Sequence, residues 1–184
     1  NTLAEGIAVK NVGTLTAEIA RHAVDDIILV DEPQIESAVN AYLTLQKTLA
    51  EGAGAAGLAA MMASPERFRG RKVGLVLCGG NIDPRLCASI MVRELAREEK
   101  IIAIRVTIPD RPGVLATIAE TIGKLGGNIL DVEHHRMFLK VPAKGASLDV
   151  TIETRDGSHG TEITAALESL GFAVERLAGL EAEF

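Results

Sequence analysis

Two short segments carry residue types and spacings that could do chemistry. Cys78-Gly79-Gly80-Asn81 follows the apolar run of residues 73–77 and precedes Pro84, which is the order of a strand, a turn and a helix. Taken alone, this segment indicates a strand-to-helix turn with a buried thiol. Asp110-Arg111-Pro112-Gly113 follows an alternating strand and precedes an apolar helix.

The second segment has the features of a loop that binds an amino acid. Pro112 and Gly113 let the chain turn sharply into a helix N-terminus, where free N–H groups and the positive end of the helix dipole favour a carboxylate. Asp110 can cap backbone N–H groups or hold an α-ammonium group. The alternative interpretation is a tight turn in a module that only dimerises.

The elements that position the first segment indicate a parallel sheet. Residues 27–30 and 73–77 are short uninterrupted apolar runs, typical of strands covered on both faces. Acidic residues and Pro33 begin a helix after the first run, residues 52–63 predict a tightly packed helix, and Pro84 begins another that extends to about Arg97. Two strands cannot make a parallel sheet covered on both faces, so we expect further strands from upstream and exposed apolar surface without them.

The elements around the second segment predict a different fold. Residues 102–108 alternate apolar with polar or small side chains, and an apolar stripe from Leu115 to Leu125 predicts a helix that ends at Gly126-Gly127. Strands follow over 128 to about 138 and around 148–152, with a loop over 140–145 between them. A second helix closes at Gly171, and a strand over 172–177 completes the order βαββαβ, the ferredoxin-like unit.

Composition excludes several classes of protein. The 184 residues are 47% hydrophobic, and their mean hydropathy of +0.22 is sufficient for a core. The longest uncharged stretch, residues 52–64, is shorter than the roughly 18 residues of a membrane-spanning helix. Nineteen basic against 25 acidic residues, with no basic stripe, argue against nucleic acid as a partner. We therefore expect neither a membrane nor a nucleic acid as partner.

Cysteine and histidine spacings do not predict a metal site. Cys78 and Cys87 are nine residues apart, which fits neither a zinc knuckle nor a disulfide framework and favours a reducing cytoplasm. His134 and His135 are adjacent on a predicted strand, so their side chains point to opposite faces and cannot chelate one metal together.

The second half resembles the ACT regulatory domain over essentially its whole length. The strand before Asp110-Arg111-Pro112-Gly113, the apolar helix after it, and Asn128-Ile129 opening the next strand carry the resemblance. It implies that these six residues bind a small amino acid between paired modules, with the helix-start loop of one facing the second strand of its neighbour. A homo-oligomer through the ACT domains is therefore implied.

The first half resembles the C-terminal part of the catalytic domain of threonine dehydratase, a pyridoxal-phosphate enzyme of the tryptophan-synthase β-like fold. Four segments in order carry this resemblance: residues 2–9, 24–30, 51–55 and 78–83. It implies an α/β chain in which an incomplete parallel sheet of the catalytic domain, residues 1–99, precedes the ferredoxin-like ACT domain, residues 100–184.

The resemblance also implies roles for four residues around pyridoxal 5′-phosphate. Cys78 takes the place of a serine that hydrogen-bonds the pyridine nitrogen, and its S–H is a weaker donor. Gly79 lets the backbone come close to the ring, Gly6 flanks the cofactor face, and Glu51 is a carboxylate near the site.

The lysine of the Schiff base and the glycine-rich phosphate loop lie far upstream of Gly6 in this family. Four lysines of this sequence match no Schiff-base motif: Lys10, Lys47, Lys72 and Lys100. We therefore expect the chain to be a C-terminal portion that contains no catalytic residue and is inactive alone. The parent is expected to be a lyase of amino-acid metabolism, such as isoleucine biosynthesis, that converts L-threonine to 2-oxobutanoate and ammonia under allosteric control. The alternative is a non-catalytic module for amino-acid sensing or dimerisation.

Overall fold

The computed structural model describes residues 2–136 and 145–177. The chain divides into two compact units, an N-terminal unit of residues 1–94 and a C-terminal unit of residues 95–184. Among the described residues, no helix has the length and apolar character needed to cross a membrane.

The N-terminal unit is helical. After a 3₁₀ turn at Glu5–Ile7 its helices are α1 (Thr14–Ala23), α2 (Glu32–Gln46), α3 (Gly52–Ala63), α4 (Pro65–Phe68) and α5 (Pro84–Arg97). The predicted helices after residue 31, over 52–63 and from Pro84 to Arg97 are confirmed. Helix α2 begins with a capping box, in which the Asp31 carboxylate accepts the Gln34 N–H at 2.9 Å and the Gln34 side chain accepts the Asp31 N–H at 3.0 Å.

The core of this unit lies between α2 and α3. Ala55 and Ala59 of α3 are fully buried, because their small side chains let the two helix backbones approach closely. The other buried apolar residues of this core are Ala4, Ile35, Ala38, Val39, Tyr42, Ala50 and Ile90.

The two predicted parallel strands of the N-terminal unit do not form. Residues 27–30 and 73–77 are in no strand, and Ile27 and Leu29 are 77% and 89% exposed. A strand is stabilised by hydrogen bonds to a neighbouring strand, and the described residues of this unit provide no such neighbour. The prediction of buried strands is therefore wrong for this chain, whereas the expected exposed apolar surface is confirmed.

The C-terminal unit has the predicted βαββαβ order. Its elements are β1 (Ile101–Pro109), α6 (Val114–Lys124), β2 (Asn128–His135), β3 (Gly145–Glu153), α7 (Gly157–Ser169) and β4 (Ala173–Arg176). The sheet order is β2-β3-β1-β4, and every neighbouring pair is antiparallel. Residues 137–144, which include part of the predicted second strand and most of the predicted loop, lie outside the described residues.

One face of this sheet packs on the two helices. Ile104 and Val106 of β1 are fully buried against Ile118 of α6 and Ile163 of α7, whereas Arg105 is exposed on the other face. The full set of buried apolar residues is Ile102, Ile104, Val106, Ile108, Val114, Ile118, Ile122, Ala146, Leu148, Val150, Ile152, Ile163 and Leu167. The alternating pattern predicted for residues 102–108 is therefore confirmed.

A buried histidine connects the two helices of this unit. His159 is 1% exposed, its Nδ1 accepts the Arg155 backbone N–H at 3.1 Å, and its Nε2 lies 3.0 Å from the Leu125 carbonyl oxygen. Because Nδ1 accepts, Nε2 is the nitrogen that donates to Leu125. Asp156 caps α7 by accepting the His159 N–H at 2.9 Å.

Candidate functional site

The structure brings together the four residues predicted to lie near a cofactor. The Glu51 backbone N–H donates to the Gly79 carbonyl at 3.3 Å. A Cβ atom on Gly79 would lie 2.5 Å from Glu51 Oε1, and one on Gly6 would lie 3.6 Å from the same oxygen. Cys78 directly precedes Gly79. Residues distant in sequence thus surround one carboxylate.

Glycines allow the 78–80 segment to lie directly on the start of α3. A Cβ atom on Gly54 would lie 2.5 Å from the Cys78 carbonyl oxygen, and one on Gly80 would lie 2.9 Å from the Leu49 carbonyl oxygen. Gly79 has φ +84°, a conformation that glycine adopts without strain. This close packing leaves Cys78 as an exposed free thiol, so the interpretation as a buried thiol is wrong.

An open groove of about 850 Å³ adjoins this cluster and shares Gly6 and Glu51 with it. The other charged residues of its wall are Glu5, Glu32, Glu36, Asp83 and Arg93. Hydrogen bonds from the Thr2 side chain and from the Leu3 backbone N–H, the latter at 2.9 Å, hold the pKa of Glu32 below its usual value. The wall of the groove is therefore predominantly acidic.

The predicted amino-acid loop is an exposed turn at one end of the ACT-like sheet. The Arg111 N–H donates to the Pro109 carbonyl at 2.9 Å, and Gly113, at φ +91°, is the N-terminal cap of α6. All four residues from Asp110 to Gly113 are exposed. The Asp110 carboxylate forms an ion pair with Arg136, in which Nε lies 3.5 Å from Oδ1.

The other two predicted ligand-binding residues lie at the opposite end of the same sheet. Asn128 pairs with Glu153 at the end of β3 and donates from Nδ2 to its Oε2 at 3.0 Å, and Ile129 is the next residue of β2. Pro109, which precedes the loop, pairs with Gly145 at the start of β3. Nine residues of strand separate these ends by roughly 25 Å, since a strand rises about 3.3 Å per residue. One chain therefore does not bring the six predicted residues together.

Sequence reasoning missed Arg136 and a row of charges on the sheet face opposite the helices. The row crosses all four strands, because Asp149 pairs with Glu133 and Arg105, and Arg105 also pairs with Glu175. Arg105 Nε donates to Asp149 Oδ1 at 2.6 Å. This hydrogen bond is the main reason why the pKa of Asp149 is lowered. Alternation alone could have identified the face, but the register between strands was needed to identify the partners.

Two protein families match the two parts of the chain. Residues 1–79 match the family described as pyridoxal-phosphate dependent enzyme, and residues 102–172 match the ACT domain. The chain joins part of a pyridoxal-phosphate-dependent enzyme domain to an ACT domain. Both resemblances read from the sequence are confirmed, and we refer to the C-terminal unit below as the ACT unit.

Curated relatives match across both units. The L-threonine ammonia-lyase of Thermotoga maritima is 38% identical over 173 residues, which cover 94% of this chain and 43% of that protein. The L-threonine ammonia-lyase of Geobacter sulfurreducens is 36% identical over 176 residues, 96% of this chain and 44% of that protein. The chain thus spans less than half the length of these relatives. Among solved structures, the ACT domain from GTP pyrophosphokinase of Chlorobium tepidum matches at 22% identity and a TM-score of 0.37. The match covers 45% of this chain and 91% of the chain in that structure.

Proposed function

We propose that this chain is part of a pyridoxal-phosphate-dependent threonine ammonia-lyase regulated by an amino acid. The parent enzyme removes water and then ammonia from L-threonine, giving 2-oxobutanoate, and accepts L-serine as a second substrate. The observation that carries the proposal is the 38% identity with an L-threonine ammonia-lyase over 94% of the chain, through both units. The two free cysteines fit a reducing compartment, the cytoplasm.

The residues around Glu51 fit one side of pyridoxal phosphate. Cys78 offers an exposed S–H, which is a weak donor suited to the ring nitrogen, and Gly79 and Gly6 make room for the Glu51 carboxylate beside it. When bound, the cofactor supplies an electron-accepting ring next to the substrate α-carbon. A thiol, unlike a carboxylate, does not keep the ring nitrogen protonated, so Cys78 favours loss of the β-hydroxyl over side reactions at the α-carbon.

Glu51 acts here as a positioning residue. Its backbone N–H holds the Gly79 carbonyl, and its carboxylate occupies the space that a side chain on Gly79 would need. The 78–80 segment is thereby held in one conformation, with Cys78 on its exposed side. This chain alone is expected to form no covalent bond with pyridoxal phosphate, because its lysines stand in no Schiff-base motif.

The ACT unit binds its amino acid between two copies of the chain. Strand β2 is at the edge of the sheet, so it can pair with β2 of a second copy. Antiparallel pairing about a two-fold axis brings Asn128 of one copy beside the His135 end of the other, where Arg136 and Asp110 form their ion pair. Each site then contains the Asp110 loop of one copy and the Asn128-Ile129 segment of the other, which lie at opposite ends of the sheet within one chain.

The charges at this end of the sheet match those of an amino acid. The Asp110 carboxylate suits an α-ammonium group, and the N-terminus of α6 together with the Arg136 guanidinium suits an α-carboxylate. When the ligand binds, the Asp110–Arg136 ion pair breaks, and each of these two side chains pairs with the oppositely charged group of the amino acid. Binding that favours one arrangement of the subunits changes the affinity of the parent enzyme for its substrate, and substrate then changes the affinity for the effector by the same factor.

The test uses the complete protein that contains this chain. We expect formation of 2-oxobutanoate from L-threonine, loss of activity in Cys78→Ala, retention of activity in Cys78→Ser because its O–H is the stronger donor, and no change in Cys87→Ser. A complete protein that binds pyridoxal phosphate but leaves L-threonine unchanged would contradict the proposal.

Titration with isoleucine, valine, serine and threonine tests the ACT unit. Absence of binding by all four would reduce it to a dimerisation module.

A further inference from the structure

Three potential metal ligands converge on the face of the ACT sheet that is turned away from the helices. Glu133 and His135 are two residues apart on β2 and therefore point to the same face. Asp149 of β3 is the direct cross-strand partner of Glu133. This cluster lies outside both the residues around Glu51 and the Asp110 loop.

Two of the three distances between the ligand atoms match those of a tetrahedral zinc site. His135 Nε2 lies 3.3 Å from Glu133 Oε2 and 3.4 Å from Asp149 Oδ2. Each residue offers one ligand atom, and all three atoms lie within 4.8 Å of one another. Zinc bonds of about 2.0–2.1 Å in a tetrahedron place neighbouring ligand atoms about 3.3–3.4 Å apart. His135 Nε2 already lies at this ligand-to-ligand distance from both carboxylate oxygens.

The surroundings of the cluster hold its ligands in place. Two of the three side chains are partly shielded from solvent, with exposures of 18% for Asp149 and 28% for His135. Arg105 donates from Nε to Asp149 Oδ1 at 2.6 Å and from Nη2 to Oδ2 at 2.5 Å, which fixes the plane of this carboxylate. A zinc ion on Oδ2 would displace the second of these hydrogen bonds and leave the first in place to orient the carboxylate.

We propose that Glu133, His135 and Asp149 bind one zinc ion, with water as the fourth ligand. An imidazole with two carboxylates is a donor set that zinc accepts, and the open sheet face leaves room for the water. The positive charge of Arg105 opposes the cation, so binding is weaker than at a site without it. The ion would join β2 to β3 immediately before Arg136 and would stiffen the edge of the sheet.

The chain offers a matched control on the same strand. His134 is adjacent to His135 but points to the other face, so it cannot reach Glu133 and Asp149 together with its neighbour. His134→Gln and His135→Gln therefore differ only in which face loses an imidazole. Glu133→Gln is a second test, because Glu133 is exposed and its replacement leaves the fold intact.

The measurement is zinc titration by calorimetry on the 184-residue chain with both cysteines replaced by serine, followed by cobalt(II) absorption. We expect one ion per chain, tetrahedral cobalt bands, and an affinity at least about ten-fold lower in His135→Gln and Glu133→Gln, with no change in His134→Gln. No saturation at millimolar zinc would overturn the proposal. Undiminished binding in His135→Gln, or a loss in His134→Gln, would overturn it as well. Circular dichroism of each variant checks that the fold is retained.

Discussion

Asn128 and Asp110 lie at opposite ends of one four-stranded sheet. Asn128 pairs with Glu153 at the end of β3, whereas Asp110 follows Pro109, which pairs with Gly145 at its start. A ligand the size of an amino acid cannot touch both within one chain. If both contact the ligand, two chains must contribute to each site.

Effector binding should therefore depend on chain concentration. The amino acid binds the pair of ACT units and not the single unit, so it shifts the equilibrium towards the dimer by mass action. Sedimentation equilibrium of the dilute chain should show more dimer when effector is added, and the apparent effector affinity should fall on dilution. An affinity that stays constant across the monomer–dimer transition would indicate a site within one chain.

Gly79→Ala should destabilise the N-terminal unit for two separable reasons. A left-handed φ costs a non-glycine residue about 1–2 kcal/mol, and the new Cβ would also meet the Glu51 carboxylate at 2.5 Å. Gly70→Ala has the positive φ without the contact, and Gly74→Ala has neither. Urea unfolding should rank the losses of unfolding free energy Gly79 > Gly70 > Gly74. Equal losses at Gly79 and Gly70 would show that the Glu51 carboxylate moves aside freely.

His159→Phe should destabilise the ACT unit by at least about 2 kcal/mol. The phenyl ring has a similar shape but leaves the Arg155 N–H and the Leu125 carbonyl without their buried partner, and each such loss costs about 1–3 kcal/mol. Hydrogen exchange of the β1 and β3 amides measures this loss separately from the N-terminal unit. His134→Phe is the control at an exposed position. Unchanged protection in His159→Phe would mean that the two hydrogen bonds contribute no net stability.

The Asp149–Arg105 pair should make ACT-unit stability depend on pH in the acidic range. Because Arg105 lowers the folded-state pKa of Asp149, the pair stabilises the unit above the unfolded-state value of about 3.9 and loses its contribution as pH falls through the folded value. Asp149→Asn should cost about 1 kcal/mol of unfolding free energy at neutral pH. The difference from the wild type should disappear in strong acid. Asp131→Asn, an exposed position on the neighbouring strand β2, serves as the control. A difference in unfolding free energy between Asp149→Asn and the wild type that does not change with pH would refute the assignment to this ion pair.

Local patterns predicted the ACT unit from the sequence. Alternation over residues 102–108 placed every second side chain of β1 in the core, and the apolar stripe of α6 placed Ile118 and Ile122 there. Both patterns follow from the geometry of a single element. The cluster of Glu133, His135 and Asp149 escaped prediction because it depends on the register between β2 and β3, which no single element specifies.

In the N-terminal unit the same reasoning succeeded for helices and failed for strands. Helix α3 satisfies its backbone within its own segment, so its bounds of Gly52–Ala63 were predicted correctly. Residues 27–30 have the apolar character of a buried strand, but a strand requires hydrogen bonds from another segment. Glu51 and the three residues around it were predicted through the family resemblance, since composition and spacing alone indicated only a turn.

The claim that each effector site is shared by two chains is tested most directly by mixing two variants that do not bind effector. Asp110→Ala and Asn128→Ala should each abolish effector binding when homodimeric, because every site then lacks one of its two contributions. In a mixed dimer one site contains both substitutions and the other contains neither. Calorimetry on the mixture should therefore recover one functional effector site for each mixed dimer. Recovery of binding on mixing is the result that the account predicts. Complete absence of binding in verified mixed dimers, or full binding by either variant alone, would contradict it.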